Sequence, residues 1–431
     1  MASNNVKNNA KIPEPHTDDA AALLLHQAKL MRGKMFKRLE KVRETSLHKA
    51  RRFARIVLNN PHVVIATLVD VLKKDGIEIG KPHNPSHLEV VNAGLSIDLY
   101  GPNGENVSVF PKLRRNGKYG WFHAFGPLET VRNRVATEVA KRLVTLHPRQ
   151  FIRQGGLPAF ERWLPLNISK ASVVITTDTP NCFGNMKRSY VKSGLLIPEE
   201  VTKKALFETM TRAKTLTPNA NGSNVPYDKE PIVAVSSSNR GIPMGAALSA
   251  LASEVVLMRV LEDVEASAEG VQAASVGDNL IFLLQDATSV QPVLNALTLS
   301  VIKYFGIDVI DELTRRNTIR NAEEEFLFCG AKYRWKNGEL RKRTEQSRID
   351  NYMIKLDVSL GEANDLEHFE TLQNSVRGWT MSQRHSTKAV SEGINAAVRI
   401  GEFKEHKSRM KASQEIAMPS QLLETLPMPP F

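Results

Sequence analysis

Apolar positions recur along this chain with two periods. Spacings of three and four residues predict helices in both flanks, and short β-branched runs predict strands in the middle. From Ala20 to about Leu58, Leu24, Leu30, Met35 and Leu39 mark one face of a helical stretch that Thr17-Asp18-Asp19 can cap. Pro61 to about Asp75 reads as another helix. Leu95–Tyr100 and Val107–Phe110 read as strands around Gly101-Pro102-Asn103-Gly104, a hairpin turn signal. Apolar Trp121–Phe125 follows, then a helix from Gly126 to about Leu146, and a connection with a short helix over Phe151–Asn167. Ser172–Asp178 is a β-branched run ending in a carboxylate. Beyond it the pattern predicts a short helix over Met186–Val191, an amphipathic helix over 198–215, a polar loop over 216–230 and a strand over Ile232–Ser236. A Gly/Pro turn then opens a helix from about Ser249 to Glu265. Thr288–Tyr304 is a helix, Phe326–Tyr333 a strand pair with a Gly kink, and Glu345–Lys407 mostly helical before a Pro-rich tail. No internal repeat is present.

The organising stretch is Ser275–Phe282: an apolar run, Gly277, Asp278, Asn279 and a second apolar run. It reads as two short strands joined by a tight turn that holds one carboxylate at its tip. Gly-Asp and Asp-Asn are also ordinary turn pairs, so the stretch gains meaning only from its surroundings.

Composition narrows the class. With 431 residues, 42% hydrophobic and 24% charged, the chain is globular in character and long enough for two or three domains. The net charge of +12 makes a polyanion the first partner to consider. Lys29, Arg32, Lys34, Lys37, Arg38, Lys41 and Arg43 place much of that charge on the first helical stretch. A solvated basic side and a template-binding surface are both open readings of it. No apolar run reaches the roughly 18 residues of a membrane span, and Met1–Lys7 lacks the apolar core of a secretory signal. The two cysteines, Cys182 and Cys329, have no metal-site spacing and fit a reducing compartment. A cytoplasmic protein without a membrane partner is the expectation.

The order of the motifs supplies the function. A basic hairpin comes first (Lys112, Arg114, Arg115, Lys118), then strand–Asp178–loop–Phe183. Gly241-Ile242-Pro243-Met244-Gly245-Ala246-Ala247-Leu248-Ser249 opens a helix, the Gly277-Asp278-Asn279 hairpin follows, and Phe328-Cys329-Gly330 comes last. Over roughly residues 105–335 this resembles the fingers and palm of reverse transcriptases, in particular the divergent bacterial and group II intron-like branch. The resemblance implies an α+β right-hand polymerase with fingers, a palm of antiparallel sheet plus helices, and a helical thumb. The corresponding boundaries are a disordered tail at 1–17, a basic helical extension at 18–100, fingers and palm at 101–335, a thumb at 336–415 and a tail at 416–431.

By the same resemblance, Asp178 and Asp278 would hold Mg²⁺, with Mn²⁺ as the alternative, and Asn279 stands where a second carboxylate is usual. Phe183 falls at the aromatic position that crowds the sugar 2′ carbon and favours deoxynucleotides. Met244, Gly245, Lys112, Arg114 and Arg115 would face the incoming nucleotide. Phe328, Cys329 and Gly330 correspond to the primer-grip region, and Asn133-Arg134 resembles a fingers pair, which puts Arg134 with the primer and template residues. Three departures stand out. Asn279 lowers the negative charge, Met244 replaces a usual Gln, and Gly120-Trp121 stands where an Arg is often found. Arg315 or Arg316 is the nearest basic residue to a usual Lys after Gly306. The expected activity is RNA-directed DNA synthesis from a primer 3′ end, with dNTPs, an RNA template and a DNA or RNA primer. A dedicated non-coding RNA or protein partner is compatible with the resemblance, and several divergent bacterial relatives serve in phage defence. Two alternatives stay open: an RNA-dependent RNA polymerase, suggested by Gly-Asp-Asn, and a non-catalytic nucleic-acid-binding subunit on the same fold.

Overall fold

The computed structural model describes residues 15–101, 105, 107–113, 119–208, 213–215, 239–363, 366–383 and 387–424. The chain is mixed α+β and mainly helical, and it divides into two compact units, Met1–Ile319 and Arg320–Phe431. The strands among the described residues are β1 (Val107–Leu113), β2 (Tyr119–Phe125), β3 (Val173–Asp178), β4 (Ala213–Thr215), β5 (Val271–Val276), β6 (Asn279–Leu284), β7 (Thr318–Asn321), β8 (Phe326–Phe328), β9 (Ala331–Lys336) and β10 (Glu339–Thr344).

The first unit opens with helices whose ends are set by local chemistry. The Thr17 hydroxyl accepts from Ala20 N at 3.3 Å and starts the Asp18–Thr45 helix. Ser46, in extended backbone, ends that helix and caps the next, Leu47–Leu58, by accepting from Lys49 N. Asn60 caps Pro61–Lys74, with Pro61 in the first turn, where its missing N–H costs nothing. Ser86 and Glu89 form a reciprocal capping box on His87–Ser96. That box overturns the strand expected over 95–100. Leu95 lies inside the helix, and Ile97 and Leu99 are buried in a turn that Arg132 ties down, donating to Asp98 O and to Gly101 O at 2.7 Å. Arg132 is itself fully buried and paired with Glu129. Burying that charge is tolerable only because its partners are in place.

β1 and β2 pair antiparallel from Val107↔Phe125 to Leu113↔Tyr119, and β4 lies parallel against β1. Residues 102–104 and 114–118 lie outside the described residues, and with them Arg114, Arg115, Lys118 and part of the expected first hairpin turn. The helix expected over 198–215 is shorter than the pattern suggests. Glu199–Thr202 passes into a π-helical turn at Lys203–Phe207, and Ala213–Thr215 is strand. The expected loop at 216–230 and strand at 232–236 also fall outside the described residues.

The central sheet has the order β5-β6-β3-β7. β3 and β6 are buried along almost their whole length, with every residue from Val173 to Thr177 and from Leu280 to Leu284 buried. Continuous burial fits a strand covered on both faces. The helix Ala247–Glu265 packs on this sheet and on the helix Val290–Tyr304; Leu248, Leu251, Val255, Val256, Val260 and Leu261 are all buried.

In the second unit β8, β9 and β10 form an antiparallel meander. Three helices follow: Gln346–Glu362, Leu366–Ser382 and Thr387–Glu424. Leu356, Leu360, Phe369, Leu372, Val376, Ala396 and Ile400 form their core, and Tyr352 stacks on Trp379 with centroids 4.1 Å apart. The last helix runs through Glu424, nine residues into the expected tail.

Candidate active site

Backbone pairing brings the two aspartates together. In the β3–β6 ladder Asp178 stands opposite Asn279. Asp278 occupies the turn from β5, where Gly277 takes φ +66°, a conformation that glycine adopts without strain. Thr179 N donates to Asp278 O at 3.0 Å, which continues the pairing past the end of β3. Both carboxylates therefore emerge at the same end of the same strand pair. Asn279 turns its amide back on the turn, donating to Asp278 Oδ1 at 3.2 Å and to Val276 O at 3.4 Å. In this geometry its side chain steadies Asp278.

Arg316, at the end of the Ile310–Arg316 helix, reaches the same spot. Its guanidinium pairs with Asp178 Oδ2 and with Glu312. The side chains of Arg316 and Asp178 are 31% and 37% exposed, so water screens the pair and it is weakly held.

The loop after β3 carries Phe183. Asn181, at φ +40°, turns the chain, and its carbonyl accepts from Gly184 N and Asn185 N. Phe183 O accepts from Ile242 N at 2.9 Å, and Met186 O accepts from Gly241 N at 2.8 Å. The Gly241–Gly245 turn is thus laid along the Phe183 loop. Its far side docks on β2, where His123 N donates to Met244 O at 2.8 Å. Gly245 has φ +111°, and a Cβ there would sit 2.6 Å from His123 O. Only glycine fits this approach. Burial lowers the His123 pKa, against a smaller opposing effect of its hydrogen bond to Met244. Cys182 is fully buried beside this loop; burial, and then the charge of Asp278, hold its thiol neutral with a pKa well above the usual value.

Asp178, Asp278 and Asn279 are brought together, and Phe183, Met244 and Gly245 meet around the turn. Lys112 is on β1, described in its backbone alone. Arg134 lines a groove with the N-terminal helix, which the resemblance does not anticipate. Phe328, Cys329 and Gly330 belong to the second unit. There Cys329 and Gly330 make a tight turn with positive φ, and Arg348 donates to Cys329 O at 2.8 Å. The sequence carries no signal for His123, because its role is to hold Met244 O, through its backbone N–H and its ring Nδ1, on a turn 121 residues away.

The oxygen donors of Asp178 and Asp278 suit a hard divalent cation rather than zinc. The hydroxyl of Thr179, the residue after Asp178, is buried and has no hydrogen-bond partner among the described residues. Among the described residues no group of three or more His, Cys, Asp or Glu could hold a metal. A cation here would complete its shell from substrate phosphate and water.

No protein-family model matches the chain, and no curated protein matches it. Among the described residues no single helix is long and apolar enough to cross a membrane.

Proposed function

We propose that this chain is a nucleotidyltransferase of the reverse-transcriptase type, which adds deoxynucleotides to a primer 3′ end on an RNA template. The observation that carries this reading is the emergence of Asp178 and Asp278 at one end of the β3–β6 pair. The Phe183 loop and the Gly241–Gly245 turn, hydrogen-bonded to each other, support it. In this reading Asp178 and Asp278 hold Mg²⁺ or Mn²⁺, which supplies the positive charge that phosphoryl transfer requires. Asn279 keeps the Asp278 carboxylate oriented. Phe183 excludes the 2′ hydroxyl, and the fixed turn at Gly245 sets the floor under the nucleotide. Lys112, Arg114 and Arg115 neutralise its phosphates.

The test is incorporation of labelled dNTPs and NTPs by purified protein with its co-purifying nucleic acid left in place, in Mg²⁺ and in Mn²⁺. The reading expects dNTP incorporation, reduced at least a hundredfold by Asp278→Ala. Synthesis with NTPs alone would favour an RNA-dependent RNA polymerase. Two observations favour a second reading, a non-catalytic nucleic-acid-binding subunit: Arg316 occupies one oxygen of Asp178, and Asn279 leaves the pair without a third carboxylate. Under that reading no nucleotide is incorporated with either metal, and Asp178→Ala leaves biological activity intact.

A further inference from the structure

A groove of about 820 Å³ lies within the first unit, walled by the Asp18–Thr45 and Pro127–Leu143 helices. Its charge is unevenly compensated. Arg32 pairs with Asp70 at 2.7 Å, Arg142 with Glu40 at 3.0 Å and Lys141 with Glu138 at 2.7 Å. The first two pairs join different helices of the wall, and the third lies along one helix. Lys29, Lys37 and Arg134 also line the groove, and none of them has a carboxylate partner among the described residues. Three uncompensated cations from two facing helices converge on one cavity, whereas a basic face that serves solubility spreads its charges outward into water.

The groove wall contains Gly33, in the middle of a 28-residue helix. A mid-helix glycine costs stability relative to alanine. Elsewhere in the unit glycines have an internal reason: a Cβ at Gly94 would strike Ile65, and one at Gly245 would strike His123. At Gly33 a Cβ would meet nothing within 4 Å, so the fold itself makes no demand for glycine there. Close approach of a ligand to the helix backbone is a reason that remains. At another point of the wall stands Ala247, the first residue of the Ala247–Glu265 helix, whose N-terminus has no side-chain cap. That helix end adds positive potential to the groove.

We propose that this groove binds the phosphodiester backbone of a single nucleic-acid strand. Convergent cations, a helix N-terminus and a bare stretch of backbone recognise phosphate without reading bases. A cavity of this volume takes a few nucleotides of one strand and not a duplex. The groove is a binding site in its own right and does not depend on the carboxylate pair. Phosphate could also arrive as a free nucleotide, which the test separates from a strand.

The test is fluorescence anisotropy of a labelled ten-nucleotide RNA of mixed sequence, with the full chain stripped of nucleic acid, across a salt series. Lys29→Ala/Lys37→Ala/Arg134→Ala is expected to weaken binding more than tenfold and to flatten the log K against log salt slope by about 2, at about 0.7 per phosphate contact. Gly33→Met, which fills the groove, is expected to weaken binding about tenfold while the melting temperature holds or rises, since methionine favours the helix. Asp178→Asn is expected to bind like the wild type, so loss of catalysis and loss of this site are separate results. Wild-type affinity and slope in the triple variant would overturn the proposal. So would weakened binding in Asp178→Asn with both groove variants unaffected. Displacement of the RNA by an equal concentration of dATP would also overturn it, reassigning the groove to mononucleotides.

Discussion

The carboxylate pair stands on strand ends positioned by backbone hydrogen bonds, whereas the basic groove is walled by side chains from helices that share no backbone ladder. In the first region a residue's position follows from the register of β3, β5 and β6, and a slip of one residue would turn Asp178 to the other face. In the second, Lys29 and Lys37 are exposed and Arg134 is half-buried where they line the groove, and Lys29 or Lys37 can change without disturbing the helix beneath. The lesson is that the geometry proposed for chemistry and the geometry proposed for holding a polyanion make different demands. One needs a covered, rigid sheet, and the other tolerates mobile side chains on rigid rods.

The contrast is broken most strongly by substitution under the sheet. Ile281 is fully buried in β6, so Ile281→Ala is expected to cost about 2–5 kcal/mol in urea unfolding, while Lys37→Ala in the groove stays within about 0.5 kcal/mol of wild type. Equal costs would erase the distinction. Next in size is Gly245→Ala. It combines a left-handed backbone with a Cβ aimed at the His123 carbonyl, and a loss of about 2–3 kcal/mol is expected; a neutral result would mean the turn is not held on β2.

A smaller effect sharpens the picture at the strand ends. Arg316→Gln removes a cation from Asp178, and Mn²⁺ binding followed by electron paramagnetic resonance is expected to tighten up to about fivefold, the worth of an exposed ion pair. Weaker binding would mean that Arg316 orients the carboxylate instead. The smallest effect is read by pH. Glu265 ties the end of its helix to β5 through Ala273 N at 2.6 Å, to His147 at 3.0 Å and to Arg149. Burial alone would raise its pKa, yet these hydrogen bonds and charges outweigh burial and lower it from 4.5. A carboxylate with a depressed folded pKa stabilises fully above its unfolded value and loses that contribution as pH falls through the folded one. Melting temperature is therefore expected to fall below about pH 4.5 in the wild type and to respond less to acid in Glu265→Gln. Parallel curves would remove Glu265 from the account.

The same contrast explains what could be read before the fold was seen. Val173-Val174-Ile175 and Leu280-Ile281-Phe282 announce buried strands by composition alone, and the carboxylates at their ends follow from position in the run. Thr17 and its acidic neighbours announce a cap, and the structure has that bond. Residues 95–100 read as a strand because Leu95, Ile97 and Leu99 alternate as a strand does, while Ser86 and Glu89 further back set a helix that takes in Leu95. The 198–215 stretch misled because parallel pairing of Ala213–Thr215 with β1 is a long-range choice that no local pattern encodes. The groove was legible only as a list of cations. Which of them face one another depends on how two helices remote in sequence are laid side by side.

The pairing of β3 with β6 has a consequence for synthesis of the chain. β3 emerges from the ribosome about 100 residues before its partner, so at about 5–20 residues per second the Val-Val-Ile run waits about 5–20 s without a ladder. During that interval it is an unpaired apolar edge open to neighbouring nascent chains. Stalled chains ending before Asn279 are expected to be protease-sensitive across Val173–Asp178, and chains released through Leu284 protected there. Equal protection in both would mean that another element shields the strand first.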